Sequence, residues 1–130
     1  MVSIPMVLVL FSVLLHRAAA QSANDPARSA LQRLETIDVD KILGNNRILT
    51  NYIRCFLNEG ACSPEARDFK RLIPKLASTA CGDCTENQRS IVKKIFMHMI
   101  NNRPDDWRML QQTYDPEGRN VKTIEEFLTS

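Results

Sequence analysis

The four cysteines constrain this chain more than any other feature, because all of them fall between Cys55 and Cys84 in the spacing C-x6-C-x18-C-x2-C. Cys55 lies late in one amphipathic segment, and Cys62 stands just ahead of Ser63-Pro64, the start of the next. A bond between these two would pin a helix corner, and Cys81 with Cys84 brackets the corner that follows. An even count in an oxidising compartment reads as two disulfides. Two rival chemistries use the same residues. A C-x2-C redox site wants a βαβ setting and a low thiol pKa, whereas Asp83 would raise a neighbouring thiol. A four-cysteine zinc site wants a closer first pair than this one. The expectation is two local staples fixing how three consecutive helices meet.

Compartment follows from the N-terminus. Val7 to Leu15 is a short apolar run, too short to span a bilayer, and Ala18-Ala19-Ala20 supplies small residues ahead of Gln21. Residues 1–20 are therefore expected to be a cleaved secretory signal peptide, and the protein to be secreted and extracellular. The remaining chain has 110 residues, with sixteen basic and fifteen acidic side chains. That length suits one domain with a modest core. The charge balance argues against a nucleic-acid partner or a membrane-lytic peptide, both of which need a concentrated basic face. No apolar run after residue 20 approaches a membrane span, so no membrane insertion is expected, and there is no N-x-S/T sequon.

Residues 21–35 carry no evident cap and little periodicity, and are expected to form a loose N-terminal arm. The ordered helical domain is expected over 36–130. Asp38 can cap a short helix bearing Val39, Ile42 and Leu43, with Gly44 in a left-handed closing position. A second helix over 47–58 presents Ile48, Leu49, Tyr52, Ile53, Phe56 and Leu57 as one wide apolar face, with Gly60 ending it. Ser63-Pro64 opens a third, whose period runs through Ala66, Phe69, Leu72, Ile73, Leu76, Ala77 and Ala80. Because the period continues on both sides of Pro74, that proline reads as a kink in one helix. Thr85 and Gln88 form a capping box for a fourth. Its Ile91, Val92, Ile95, Phe96, Met99 and Ile100 repeat the pattern of the second, which suits opposite walls of one interior, and Met97 faces away. Pro104, Asp105 and Asp106 open a fifth helix with Trp107 and Leu110 on one face. Tyr114 to Gly118 reads as a turn, and Ile124, Phe127 and Leu128 as a short sixth helix. The fold class is all-α, a compact bundle of about six short helices.

Catalytic parts are missing. His98 is the one histidine after residue 20 and sits at a helix flank. Asp105-Asp106 and Glu125-Glu126 read as helix-end and surface charge, and no phosphate loop or H-E-x-x-H occurs. No enzyme, cofactor or metal is expected. The facing apolar stripes are the candidate binding surface: Val39, Leu43, Leu49, Ile53, Phe69, Leu72, Ile73, Leu76, Val92, Ile95, Phe96 and Met99. Were they to enclose a fatty-acid-like chain, about ten buried methylenes would give roughly 8 kcal/mol gross, a scale compatible with micromolar affinity after ordering costs.

The residues resemble one family, the insect chemosensory proteins of the OS-D or A10-like type. The likeness rests on the cysteine spacing, Ile37-Asp38-Val39-Asp40, Asn51-Tyr52, Cys62-Ser63-Pro64-Glu65, Pro74, Cys84-Thr85, Gln88, Pro104 with Trp107, and Tyr114-Asp115-Pro116 with Gly118. It implies a six-helix fold around an apolar channel, with disulfides Cys55–Cys62 and Cys81–Cys84. It also implies a carrier of semiochemicals such as odorants or pheromones and of fatty-acid derivatives, with Tyr52, Gln88 and Trp107 at the channel. The chain departs from the family's tyrosines at Ala30, Leu34, Asn120 and Ile124. A monomer with small hydrophobic ligands is expected, any receptor or secretion partner being unspecified. The alternative is a secreted developmental or protein-interaction factor whose core is filled.

Overall fold

The computed structural model describes residues 25–130; the signal-peptide expectation lies outside them. Seven helices occur among the described residues: α1 Pro26–Leu34, α2 Val39–Leu43, α3 Asn46–Phe56, α4 Pro64–Thr79, α5 Glu86–Asn102, α6 Pro104–Tyr114 and α7 Val121–Thr129. The all-α class and both local disulfides are as expected, with Cα–Cα distances of 5.0 Å for Cys55–Cys62 and 5.1 Å for Cys81–Cys84. All four cysteines are paired, and no free cysteine remains among the described residues.

The seventh helix, α1, replaces most of the expected loose arm. Its start is chemically ordinary: the Asp25 carboxylate accepts the Ala27 amide at 3.0 Å, and Pro26 holds the first helical position, where a missing N–H does no harm. Ala27, Ala30, Leu31 and Leu34 then recur at i, i+3, i+4 and i+7. The stripe was easy to overlook because two of its members are alanines. It is ordered by what it meets: Ala30, Leu31 and Leu34 are buried in one cluster with Leu72, Leu76 and Val92, chiefly against α4. Arg33 pairs with Asp68 at 2.7 Å, and Lys75 reaches both Asp83 and Asp25. These pairs are partly exposed and orient the helix more than they stabilise it.

Capping sets the remaining starts. Asp38, Asn45, Ser63 and Thr85 each accept amides from the first turn of the next helix, and both arms of the Thr85–Gln88 capping box are formed. α4 runs unbroken through Pro74, as its period indicates. Two helix ends differ from expectation. Gly44 has φ −78°, because its N–H closes the last turn of α2 onto Asp40 O in the right-handed region. α3 stops at Phe56, and Asn58 rather than Gly60 takes the left-handed conformation, at φ 60°. Asparagine tolerates that region better than most side chains.

The staples act at the corners. Cys55 is fully buried and bonded to Cys62, so the end of α3 is tied to the approach to α4. Ala80 and Cys81 both adopt positive φ as the chain leaves α4 for the Cys81–Cys84 loop.

Two outcomes are expected. Asp25→Ala should speed amide hydrogen exchange across 27–34 while leaving α5 protected. The Ala27 amide holds the Asp25 carboxyl below its ordinary range. The cap is therefore complete above the unfolded value near 3.9 and lost as pH falls through the lower folded value, so acid should mimic the substitution. Replacing Cys55 and Cys62 together by alanine should lower unfolding free energy by about 2.5 kcal/mol, the chain entropy of so short a ring, measured by denaturant titration.

Candidate functional site: a divided apolar interior

The matched stripes of α3 and α5 do form facing walls. Between them, closed by α4, α6 and the start of α7, lies an apolar cavity of about 90 Å3. α3 contributes Leu49, Ile53 and Phe56; α4 contributes Phe69, Ile73, Leu76 and Ala77; α5 contributes Ile95, Phe96 and Met99. α6 supplies Trp107, Leu110, Gln111 and Tyr114, and Asp115 and Ile124 complete the wall. A second apolar cavity of about 50 Å3 lies toward α2, lined among others by Leu34, Ile37, Val39, Ile42, Leu43 and Tyr52. Two further hollows, beside the Cys55–Cys62 corner and around Lys75, have mixed polar and apolar linings.

Aromatic packing shapes the inner surface. Phe96 lies 5.1 Å from Trp107, centroid to centroid, and 6.1 Å from Phe127, while Phe56 lies 5.3 Å from Phe69. Two polar groups at the rim already have partners. The Tyr114 hydroxyl donates to Phe56 O at 2.5 Å. The Asp115 carboxylate accepts the backbone amides of Arg119 and Asn120 and the Asn120 side chain, fixing the turn into α7. Burial pushes the phenol pKa of both Tyr52 and Tyr114 upward, with the Glu65 charge adding to the effect at Tyr52.

Most of the expected lining residues face one cavity or the other; three do not. Leu72 and Val92 are buried in the cluster that holds Ala30, Leu31 and Leu34, so they are core beneath α1, the helix absent from the sequence reading. Gln88 is 5 % exposed, and its amide accepts Thr85 N at 3.1 Å and reaches Glu35 at 3.5 Å. It caps α5 and lines neither cavity. Several lining residues were not chosen from sequence. Phe56, Leu110 and Ile124 were visible as apolar helix positions, and Tyr114, read as part of a turn, continues the spacing of Trp107, Leu110 and Gln111 along α6. Its signal was the 3.6-residue period itself.

An all-helical, twice-stapled shell around apolar space is the architecture of a small binding protein. Comparison with known proteins places it further. The model of the insect pheromone-binding family, A10/OS-D, matches residues 31–122. Protein A10 of Drosophila melanogaster, of the odorant-binding type, is 43% identical over 86 residues, covering 66% of this chain and 56% of that protein. The chain thus spans little more than half the length of that relative. Ejaculatory bulb-specific protein 3 of the same species is 38% identical over 90 residues, covering 69% of this chain and 71% of that one. Among solved structures, a chemosensory protein in complex with bromo-dodecanol superposes with a TM-score of 0.64 at 35% identity, covering 72% of this chain and 94% of its own. Antennal chemosensory protein A6 from the moth Mamestra brassicae gives 0.62 at 35% identity, covering 72% and 91%. The chain belongs to the insect pheromone-binding A10/OS-D family, whose members are odorant and chemosensory binding proteins and not enzymes.

The raised phenols give a direct check. Alkaline absorbance titration of the folded protein should show both tyrosines ionising above the ordinary value near 10. The unfolded chain ionises first, so the stability that burial of the neutral phenols carries is present below pH 10 and is lost as pH rises through the higher folded values.

Proposed function

We propose that the protein is a secreted, monomeric carrier that reversibly binds small hydrophobic molecules in its apolar interior. The ligands are semiochemicals such as odorants or pheromones, or fatty-acid derivatives. The observation that carries this reading is the interior itself: apolar space is left between α3 and α5, and its rim hydroxyl is already bonded to Phe56 O. The one carboxylate in this wall, Asp115, is engaged by the Arg119 and Asn120 amides, and the surface attracts a ligand by the burial of hydrocarbon. The solved relative with bromo-dodecanol supports an amphiphile of that kind. Its family supports secretion, as does the apolar run with small residues at 1–20.

The space as it stands is smaller than a long alkyl chain. An apolar cavity of about 150 Å3 holds benzene, and the larger compartment here is about 90 Å3. Binding a long ligand therefore requires side chains to move. The alternative, a developmental or interaction factor with a filled core, has the two apolar compartments against it.

Trp107, the chain's single tryptophan, lines the larger compartment. Its fluorescence should be quenched saturably by a brominated fatty alcohol, with a Kd on the order of micromolar, and a fluorescent apolar probe should be displaced in parallel. Absence of saturable binding across alcohols, esters and fatty acids would rule the carrier reading out.

A further inference from the structure

The interior is two compartments, and the wall between them can be named. Leu49, Phe56, Phe69 and Ile95 line both. Trp107, Tyr114 and Ile124 lie on one side of that wall, with Val39, Leu43 and Tyr52 on the other. The two spaces together fall just short of the roughly 150 Å3 of a benzene-sized cavity. A linear chain of ten or more carbons is accommodated only if the wall parts.

The wall residues differ in their freedom to move. Phe56 is buried at the end of α3, and its neighbour Cys55 is covalently fixed to Cys62. Its own carbonyl accepts the Tyr114 hydroxyl, and its ring packs edgewise on Tyr52 at 6.0 Å. Backbone and ring are both held. Leu49 is buried among Leu43, Ile53 and Met99, and Ile95 is β-branched within a helix, hence stiff at χ1. Phe69 is different: it lies mid-way along α4, half-buried, with its ring tilted onto Phe56 at 5.3 Å. A turn about its χ angles toward solvent would remove the centre of the wall without moving a helix.

We propose that Phe69 is the movable leaf of a partition whose fixed post is Phe56, and that this partition makes the chain select hydrophobic ligands by length. Compact molecules occupy one compartment. Long linear chains bind only when Phe69 swings aside and joins the two into one channel. The inference rests on the carrier reading and adds to it a residue that sets chain-length preference.

The test is a series of 1-alkanols from hexanol to hexadecanol, read by displacement of a fluorescent apolar probe and by Trp107 quenching on the chain from Gln21. Each buried methylene should raise affinity about fourfold. For the unsubstituted chain the rise is expected to fall well short of fourfold per methylene across the series, since a compartment of about 90 Å3 is already full at its shortest member. Phe69→Ala should restore the rise, so that the dodecanol-to-hexanol affinity ratio grows about tenfold, the gain of under two further methylenes. Phe69→Leu, which keeps most of the apolar volume, should shift affinity the same way to a smaller extent. A rise of about fourfold per methylene in the unsubstituted chain overturns the partition, as does an equal effect of Phe69→Ala on hexanol and dodecanol. If no alkanol of any length displaces the probe, the carrier reading fails and the partition with it.

Discussion

The covalent tie between Cys55 and Cys62 is the constraint from which the interior takes its shape. Cys55 is wholly buried, so the staple acts inside the fold, at the point where α3 hands the chain to α4. A helix end is ordinarily free to fray, since its last carbonyls lack partners. Here the next residue, Phe56, has its carbonyl occupied by the Tyr114 hydroxyl, which fastens α6 to the same corner. Three helices are thus referred to one position. The facing stripes of α3 and α5 are held apart without having to fill the space between them, and an interior gap becomes tolerable in a chain of this size.

The N-terminal helix decides which apolar residues are core and which are wall. α4 and α5 each carry more apolar positions than one neighbour needs. Where Ala30, Leu31 and Leu34 cover them, Leu72 and Val92 are packed shut. Phe69, Ile73, Ile95 and Phe96 face the cavities, Phe96 from the edge of that same cluster. Two of the family's tyrosine positions fall on this same helix, at Ala30 and Leu34. Ala30 is core here, and Leu34 both packs in the core and borders the smaller compartment. At the other end of the chain, Ile124 puts an aliphatic group in the larger compartment. The interior of this member is consequently poor in ligand-facing hydroxyls.

Polar chemistry serves the frame instead of the cavity. Asp25, Asp38, Asn45, Ser63 and Thr85 are all engaged in starting helices, and Asp115 in turning the chain into α7. Gln88 illustrates the competition most clearly. A glutamine three residues after a threonine can either close a capping box or reach toward a ligand, and with one side-chain amide the box takes it. What remains for recognition is shape and hydrocarbon area, which makes side-chain mobility at the wall matter more than hydrogen-bond geometry.

Much of this was legible along the chain, because local chemistry acts locally. The cysteine spacing, the caps at Ser63 and Thr85, the continuation of α4 through Pro74 and the matched stripes at Leu49–Ile53 and Ile95–Met99 all depend on residues within a few turns of one another. Less legible was anything that depends on which element covers which. The α1 stripe contains alanines whose burial is worth little until α4 lies against them, and Leu72 looks like Ile73 until α1 removes it from the wall. Asn58 rather than Gly60 ends α3 where the staple corner begins, and Tyr114 is a turn residue by composition but a wall residue by position. By itself the sequence determined the helices after α1, their order and the two staples, since each follows from capping, periodicity and short-range bonding. Only the tertiary structure decided that the interior is divided at Phe56 and Phe69, because a cavity is the space several helices fail to fill, and no single helix encodes it.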